Sequence, residues 1–67
     1  MKDKWILTKD KLPDIDQYVL WLCDNGFIFY DCIDKDWDKE YLDKFLQGNN
    51  NTGNIRYWLI PEYPENF

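Results

Sequence analysis

A chain of 67 residues with a formal net charge of −5 and no histidine excludes several classes of function. A chain this short buries only about 60% of the surface of its unfolded form, so residues 1–67 form one domain. The acidic balance argues against direct nucleic-acid binding, which needs clustered lysine and arginine to displace counterions. Without histidine, the chain lacks the commonest general base near neutral pH and a common metal ligand. We therefore predict no enzyme activity, no cofactor and no metal site.

The aromatic content is high for so short a chain, with four tryptophans, five tyrosines and four phenylalanines. Each of these side chains can bury roughly 150 to 250 Å², enough together to fill a core without a disulfide or a metal. A stacking platform for bases or sugars is the other reading of the tryptophans, but such platforms occur in basic grooves. We predict that the core includes at least three of Trp5, Trp21, Trp37 and Trp58.

No stretch of the sequence is long and apolar enough for a signal peptide or a membrane span. We therefore predict a cytoplasmic protein that does not associate with membranes. In that compartment Cys23 and Cys32 are expected to be reduced, and their spacing does not form a CxxC redox motif.

The N-terminal part of the chain predicts a short extended segment followed by a turn. Trp5–Thr8 can add a short edge strand to a sheet, and Leu12-Pro13 marks a turn, because a residue before proline is biased towards an extended conformation. Asp14 and Asp16 could pair as an acid and a base. Directly after Pro13 they are better explained as solvated turn residues.

A hairpin is predicted in the first half of the chain. The run YVLWLC leads through Asp24 to Asn25-Gly26, and the run FIFYDCI begins directly afterwards. Asn-Gly between two apolar runs is the strongest short-range hairpin signal, and it favours a two-residue type I′ turn. We therefore predict strands over residues 18–24 and 27–33.

That turn predicts how the two strands pair. Trp21 lies opposite Tyr30 and Val19 opposite Cys32, so Cys23 and Cys32 are four residues apart along the strands, too far for a disulfide. Both faces are apolar apart from Asp31, so either both are covered or one is a contact surface. The predicted faces are Val19, Trp21, Cys23, Ile28, Tyr30 and Cys32 on one side, and Tyr18, Leu20, Leu22, Phe29 and Ile33 on the other.

The second half of the chain predicts a helix, a loop and a last strand. Apolar residues recur at helical spacing over residues 36–47, with Asp36 as the N-cap and Gly48 as the C-terminal stop. The polar Asn-rich segment 47–54 is expected to be a mobile loop. A strand over residues 55–60 ends before Pro61, which has no N–H to donate, and residues 61–67 form a C-terminal tail.

Together these elements predict an α+β fold. The sheet is a small three-stranded antiparallel β-meander, with one α-helix between its second and third strands and the short N-terminal edge strand beside it. Asp31 lies among apolar neighbours, so Arg56 of the last strand is its predicted ion-pair partner.

Three stretches carry a family resemblance: WILTKDKLPD near the start, YVLWLCDNGFIFYDC in the middle and RYWLIPEYP near the end. Their order and spacing resemble the small phage and bacterial proteins called domain of unknown function 551. The matching residues are Trp5, Ile6, Leu12, Pro13, Val19, Leu20 and Trp58. The chain departs from the pattern at Tyr57, where the family usually has histidine. It also departs at Ile60, which stands before Pro61 where the family has a proline directly after the tryptophan and one apolar residue. The resemblance implies a small sheet fold and a phage or prophage origin, and it implies no known activity.

The predicted function is that of a non-enzymatic phage or mobile-element accessory protein that binds a protein partner. A basic partner is expected on the acidic side of the helix, at Asp34, Asp38, Glu40 and Asp43, because opposite charges steer encounter. The plainer reading of these acids is a solvated face that keeps the protein soluble. The alternatives are a self-associating structural module such as a homodimer, and an acidic mimic that inhibits a nucleic-acid-binding protein. A small hydrolase is the remaining alternative, and the least favoured.

Overall fold

The computed structural model describes residues 5–62. They form an α+β fold, as predicted, in which one helix packs on a four-stranded antiparallel sheet. The elements in chain order are β1 (Ile6–Leu7), β2 (Val19–Cys23), β3 (Ile28–Asp31), α1 (Lys39–Gln47) and β4 (Ile55–Leu59). Residues 1–4 and 63–67, which include most of the predicted tail, lie outside the described residues.

The strand order is β1-β4-β2-β3, so the predicted three-stranded meander is wrong. A meander would place β4 beside β3, whereas β4 pairs with β2 and brings Trp58 opposite Trp21 at the centre of the sheet. The helix lies between β3 and β4 in the chain, as predicted, and it carries the chain back across the sheet. Ile6 and Leu7 pair with β4, which confirms the short N-terminal edge strand.

The hairpin joining β2 and β3 exists, but its turn differs from the predicted type I′ turn. Cys23 N–H donates to the Phe27 carbonyl at 2.9 Å, so the loop is Asp24, Asn25 and Gly26. Gly26 has φ 94°, whereas Asn25 is not left-handed. A type I′ turn needs positive φ at both central residues, while a three-residue loop needs it only at the last. The prediction of a two-residue turn is therefore wrong.

The longer turn shifts the strand pairing by one residue. Trp21 pairs with Phe29 rather than Tyr30, and Val19 pairs with Asp31 rather than Cys32. Because side chains alternate along a strand, a shift of one residue exchanges the faces of β3. The face compositions predicted for the hairpin are therefore wrong for β3.

The helix begins at Lys39, and its N-cap is Asp38 rather than the predicted Asp36. The Asp38 carboxylate accepts a hydrogen bond from Tyr41 N–H at 2.8 Å, as an N-cap side chain does. Asp36 instead lies in a preceding turn, where its N–H donates to the Asp34 carboxylate at 2.9 Å. Gly48, at φ 67°, ends the helix as predicted, and its N–H donates to a helix carbonyl.

The core lies between α1 and one face of the sheet. Phe45 of the helix makes edge-on ring contacts with Trp21 at 5.2 Å and with Phe29 at 6.0 Å. Trp21 and Trp58 lie in this core and Trp37 packs partly buried against it, so two of the four tryptophans are in the core and a third borders it. The buried residues of the cluster are Val19, Trp21, Cys23, Ile33, Ile55 and Trp58.

The Asn-rich loop is tied to the hairpin turn. Asp24 N–H donates to the Asn54 carbonyl at 2.9 Å, and the Asp24 carboxylate accepts from Asn54 N–H at 2.9 Å and from Arg56 Nε at 2.6 Å. The predicted Asp31–Arg56 pair is therefore wrong, because Arg56 reaches the turn and the Asp31 carboxylate accepts from Cys32 N–H. The mobility of residues 47–54 stays a prediction.

Candidate interaction surface

The sheet has a second face, which lies opposite α1. In an antiparallel sheet, paired residues point to the same side, so the register shows which residues share that face. Leu7, Tyr57, Leu22 and Ile28 form one row across the four strands, and Leu59, Leu20 and Tyr30 form the next. Tyr18 joins them, because its ring lies 5.2 Å from that of Tyr30. We call this surface the open face: Leu7, Tyr18, Leu20, Leu22, Ile28, Tyr30, Tyr57 and Leu59.

The open face does not contribute to the core. None of its residues belongs to the buried cluster or to the partly buried side chains packed against it. Tyr18, Ile28 and Tyr30 are about half exposed, at 50%, 49% and 50%. Within residues 5–62, α1 is the only helix, and it covers the opposite side of the sheet. The open face is therefore an apolar, partly aromatic surface in contact with solvent.

The open face has no charged side chain, although charged residues make up 31% of the chain. Where one face of a sheet is solvated, polar residues that face water usually alternate along each strand with apolar residues that face the core. In β2 this alternation is missing, since Leu20 and Leu22 point away from the core while Trp21 and Cys23 point into it. The sequence indicated two apolar faces and hence a candidate contact surface. The one-residue shift in pairing is what places Ile28 and Tyr30 on it.

The four acids predicted to bind a partner lie on the helical side of the molecule, and most of them have a partner within the chain. Asp34 accepts a hydrogen bond in the turn before the helix, and Asp38 caps the helix. Asp43 lies 3.5 Å from Lys39, one turn earlier, in an exposed pair. Glu40 lies in the first turn, where the helix dipole favours a negative charge. Asp38, Glu40 and Asp43 therefore stabilise the helix, and Asp34 stabilises the turn before it.

Two clefts border the helix. One, of about 510 Å³, is lined by polar and apolar residues that include Lys9, Asp43 and Arg56. The other, of about 410 Å³, has Phe27, Phe29 and Phe45 in its walls. In the first cleft Arg56 is already paired with Asp24. The second cleft also has Cys23, Lys44 and Thr52 in its lining.

The two cysteines are free thiols in different environments. Burial raises the pKa of the Cys23 thiol, which lowers its thiolate fraction and its reactivity. A hydrogen bond with the Cys32 side chain raises the pKa of Tyr18 on the open face. The register from which their separation was predicted is wrong, because Cys23 lies opposite Phe27 rather than Ile28. Cys23 points into the core, whereas Cys32 interacts with Tyr18 on the open face.

No group of three or more Asp, Glu, Cys or His side chains within residues 5–62 is placed to hold a metal ion. The same part of the chain contains no helix with the length and apolar character needed to cross a membrane. Comparisons with protein-family models, with curated proteins and with solved structures found no match to this chain. The resemblance to domain of unknown function 551 thus stays a prediction.

Proposed function

We propose that this chain is a non-enzymatic protein-interaction module that binds its partner through the open face. The observation that supports this is the set of eight uncharged apolar and tyrosine side chains on a sheet face that the helix does not cover. Contiguous exposed apolar patches mark contact sites on soluble proteins, and tyrosine is enriched in the residues that dominate interface energies. A phage or mobile-element accessory role is part of the proposal, and it rests on the sequence resemblance. A cytoplasmic location suits the two free thiols.

The acidic side of the helix is the weaker candidate for a binding surface. Three of its four acids already accept a hydrogen bond or form an ion pair within the chain. Recruiting them to a basic partner would compete with helix capping, which contributes about 0.5 to 2 kcal/mol at an N-cap. Exposed ion pairs add only about 0 to 1 kcal/mol each, so charge alone would give a weak complex.

Two matched tyrosine substitutions test the proposal. Tyr30 on the open face and Tyr41 on the helix are equally exposed, at 50% and 53%. The tagged parent chain, Tyr30→Lys and Tyr41→Lys are each immobilised and offered untagged chain together with proteins of a host lysate. We expect Tyr41→Lys to retain the same proteins as the parent and Tyr30→Lys to lose them, because an interface buries the lysine charge without a partner.

The opposite pattern would contradict the proposal. Retention of the same proteins by all three chains would show that the open face is not the contact surface. A loss caused by Tyr41→Lys or by Glu40→Lys, together with weakening as salt rises, would instead identify the acidic helix side as the site.

A further inference from the structure

We propose that the partner on the open face is a second copy of this chain, stacked sheet against sheet about a two-fold axis. This inference rests on the proposed function of the open face as a contact surface. A two-fold interface uses the same patch on both subunits, so the patch must be complementary to itself. Three properties of the open face meet that requirement: its charge, its area and its position relative to the helix.

The first property is the charge distribution. Each chain has a formal net charge of −5, so two copies repel one another over most of their surfaces. The open face is an exception, because none of its eight residues ionises near neutral pH, and the carboxylates of Asp16 and Asp31 act on it only at its margin, beside Tyr18. A basic or acidic partner would find no complementary charge there, whereas a second uncharged apolar face has no charge of its own to desolvate. The distribution therefore favours an apolar surface as the partner, and the chain itself supplies one.

The second property is the area. A tyrosine buries roughly 150 to 250 Å², so the half-exposed rings of Tyr18 and Tyr30 offer on the order of 100 Å² each. With Ile28 and the five half-buried side chains, one open face presents on the order of 500 Å², within the usual size of a functional patch. Two such faces bury about 1,000 Å² in total, the lower end for a specific interface. We therefore expect a weak dimer rather than an obligate one.

The third property is the geometry of stacking. Two twisted sheets that pack face to face lie about 10 Å apart, with their strands about 30° from parallel. In this arrangement each α1 lies on the outer side of its own sheet. Asp38, Glu40 and Asp43 of the two copies then point away from the interface, which keeps the largest groups of like charges far apart. Stacking therefore buries the apolar surface with little electrostatic cost.

Edge pairing is the competing way to form a dimer. β3 is an edge strand of the sheet, so two copies could also pair through Ile28–Asp31. That arrangement would extend the sheet and leave Tyr18, Leu20 and Leu59 in water. Because it does not cover the open face, a substitution at Tyr18, which lies outside the strands, distinguishes the two dimers.

The dimer can be measured directly by light scattering and sedimentation equilibrium. A concentration range of about 5 µM to 1 mM brackets weak association. We expect a reversible monomer–dimer equilibrium in the parent chain. Tyr18→Lys and Tyr30→Lys should each weaken it about tenfold or more, because each places a lysine charge in the buried contact, while Tyr41→Lys leaves it unchanged. Tyr18 lies outside the strands, and thermal unfolding at low concentration checks that every variant is folded.

Salt dependence provides a second readout. Because no charges attract across the proposed interface while the net charges repel, dimerisation should strengthen as the Debye length falls from about 10 Å at 0.1 M to 3 Å at 1 M salt. Weakening with salt would overturn the inference, and so would a strictly monomeric chain at 1 mM, or a dimer that Tyr18→Lys leaves intact.

The two proposals fail differently. If the chain is monomeric but retains a lysate protein that Tyr30→Lys loses, the open face remains a contact surface and only the identity of the occupant is wrong. If the retention of untagged chain and of lysate proteins is the same with Tyr30→Lys as with the parent, both proposals are wrong.

Discussion

Replacing Trp58 with alanine is the most direct test of how this short chain stays folded. Trp58 lies in β4 at the centre of the sheet and is only 4% exposed. Its neighbours across the strands are Trp21 on one side and Ile6 on the other. The indole Nε1–H donates to the Lys11 carbonyl at 2.8 Å, which fixes the segment before Leu12 against the sheet. One side chain therefore joins three parts of the chain.

The expected cost follows from burial and size. Truncating a buried tryptophan to alanine costs about 3 to 5 kcal/mol, because transfer free energy is lost and a cavity remains. Marginal stability of roughly 0.05 to 0.15 kcal/mol per residue gives this chain about 3 to 10 kcal/mol in total. A loss of 1 kcal/mol shifts the melting temperature of a domain this size by about 4 to 8 °C. Trp58→Ala should thus lower it by more than about 10 °C or unfold the chain.

The assay is thermal and urea unfolding followed by far-UV circular dichroism, because tryptophan fluorescence changes with the substitution itself. The chain concentration is held constant, since any dimerisation would add to the apparent stability. Trp58→Phe keeps much of the volume but loses the bond to Lys11, and it should fall between parent and alanine variant. Lys35→Ala, at an exposed position, serves as the control. A Trp58→Ala chain that melts within about 2 °C of the parent would refute the assignment of Trp58 to the core.

Three further outcomes are expected. Asp38→Ala should destabilise the chain by about 0.5 to 2 kcal/mol in a urea titration, which is the cost of losing an N-cap. Asp36→Ala should change the stability much less in the same titration, and equal effects of the two substitutions would contradict the observed cap. Gly53→Ala should cost at least about 1 to 2 kcal/mol, because Gly53 has φ 75° and an added Cβ would lie 2.7 Å from the Asp24 side chain. An unchanged urea midpoint would be inconsistent with that geometry. Cys32→Ala should lower the pKa of Tyr18 towards its ordinary 10.0 in a site-resolved NMR titration. Since folding raises that pKa, the hydrogen bond stabilises the fold below pH 10 and is lost as the pH rises past it, so a Tyr18 midpoint unaffected by the substitution would exclude the bond.

The elements themselves could be predicted from the sequence because they depend on neighbouring residues. The helical spacing of apolar residues near Phe45 and the glycine at position 48 reflect interactions within about one turn. The hairpin, the strand that ends before Pro61 and the N-terminal edge strand follow from equally local rules on turns and proline. The acidic balance and the aromatic content likewise indicated a small domain with an aromatic core.

Local rules did not decide between neighbouring alternatives, and the errors arose there. Asn25-Gly26 fits a two-residue turn and a three-residue turn equally well, but only the second brings Trp21 and Phe29 to one face, where Phe45 packs on both. Asp36 and Asp38 are both acceptable N-caps, and the turn from Asp34 to Trp37 decides for the second.

The strand order and the open face are set by the tertiary structure. β4 pairs with β2 because that pairing places Trp58 and Ile55 in the core beneath the helix. The paired residues of β2 and β4 are more than thirty positions apart in the chain, and no local pattern encodes such a contact. Both faces of β2 are apolar, so the sequence indicates two candidate core faces without showing which one is covered. A single helix can bury only one side of a sheet. The packing of Phe45 on Trp21 decides that side, and it leaves Leu20, Leu22 and Tyr30 on the open face.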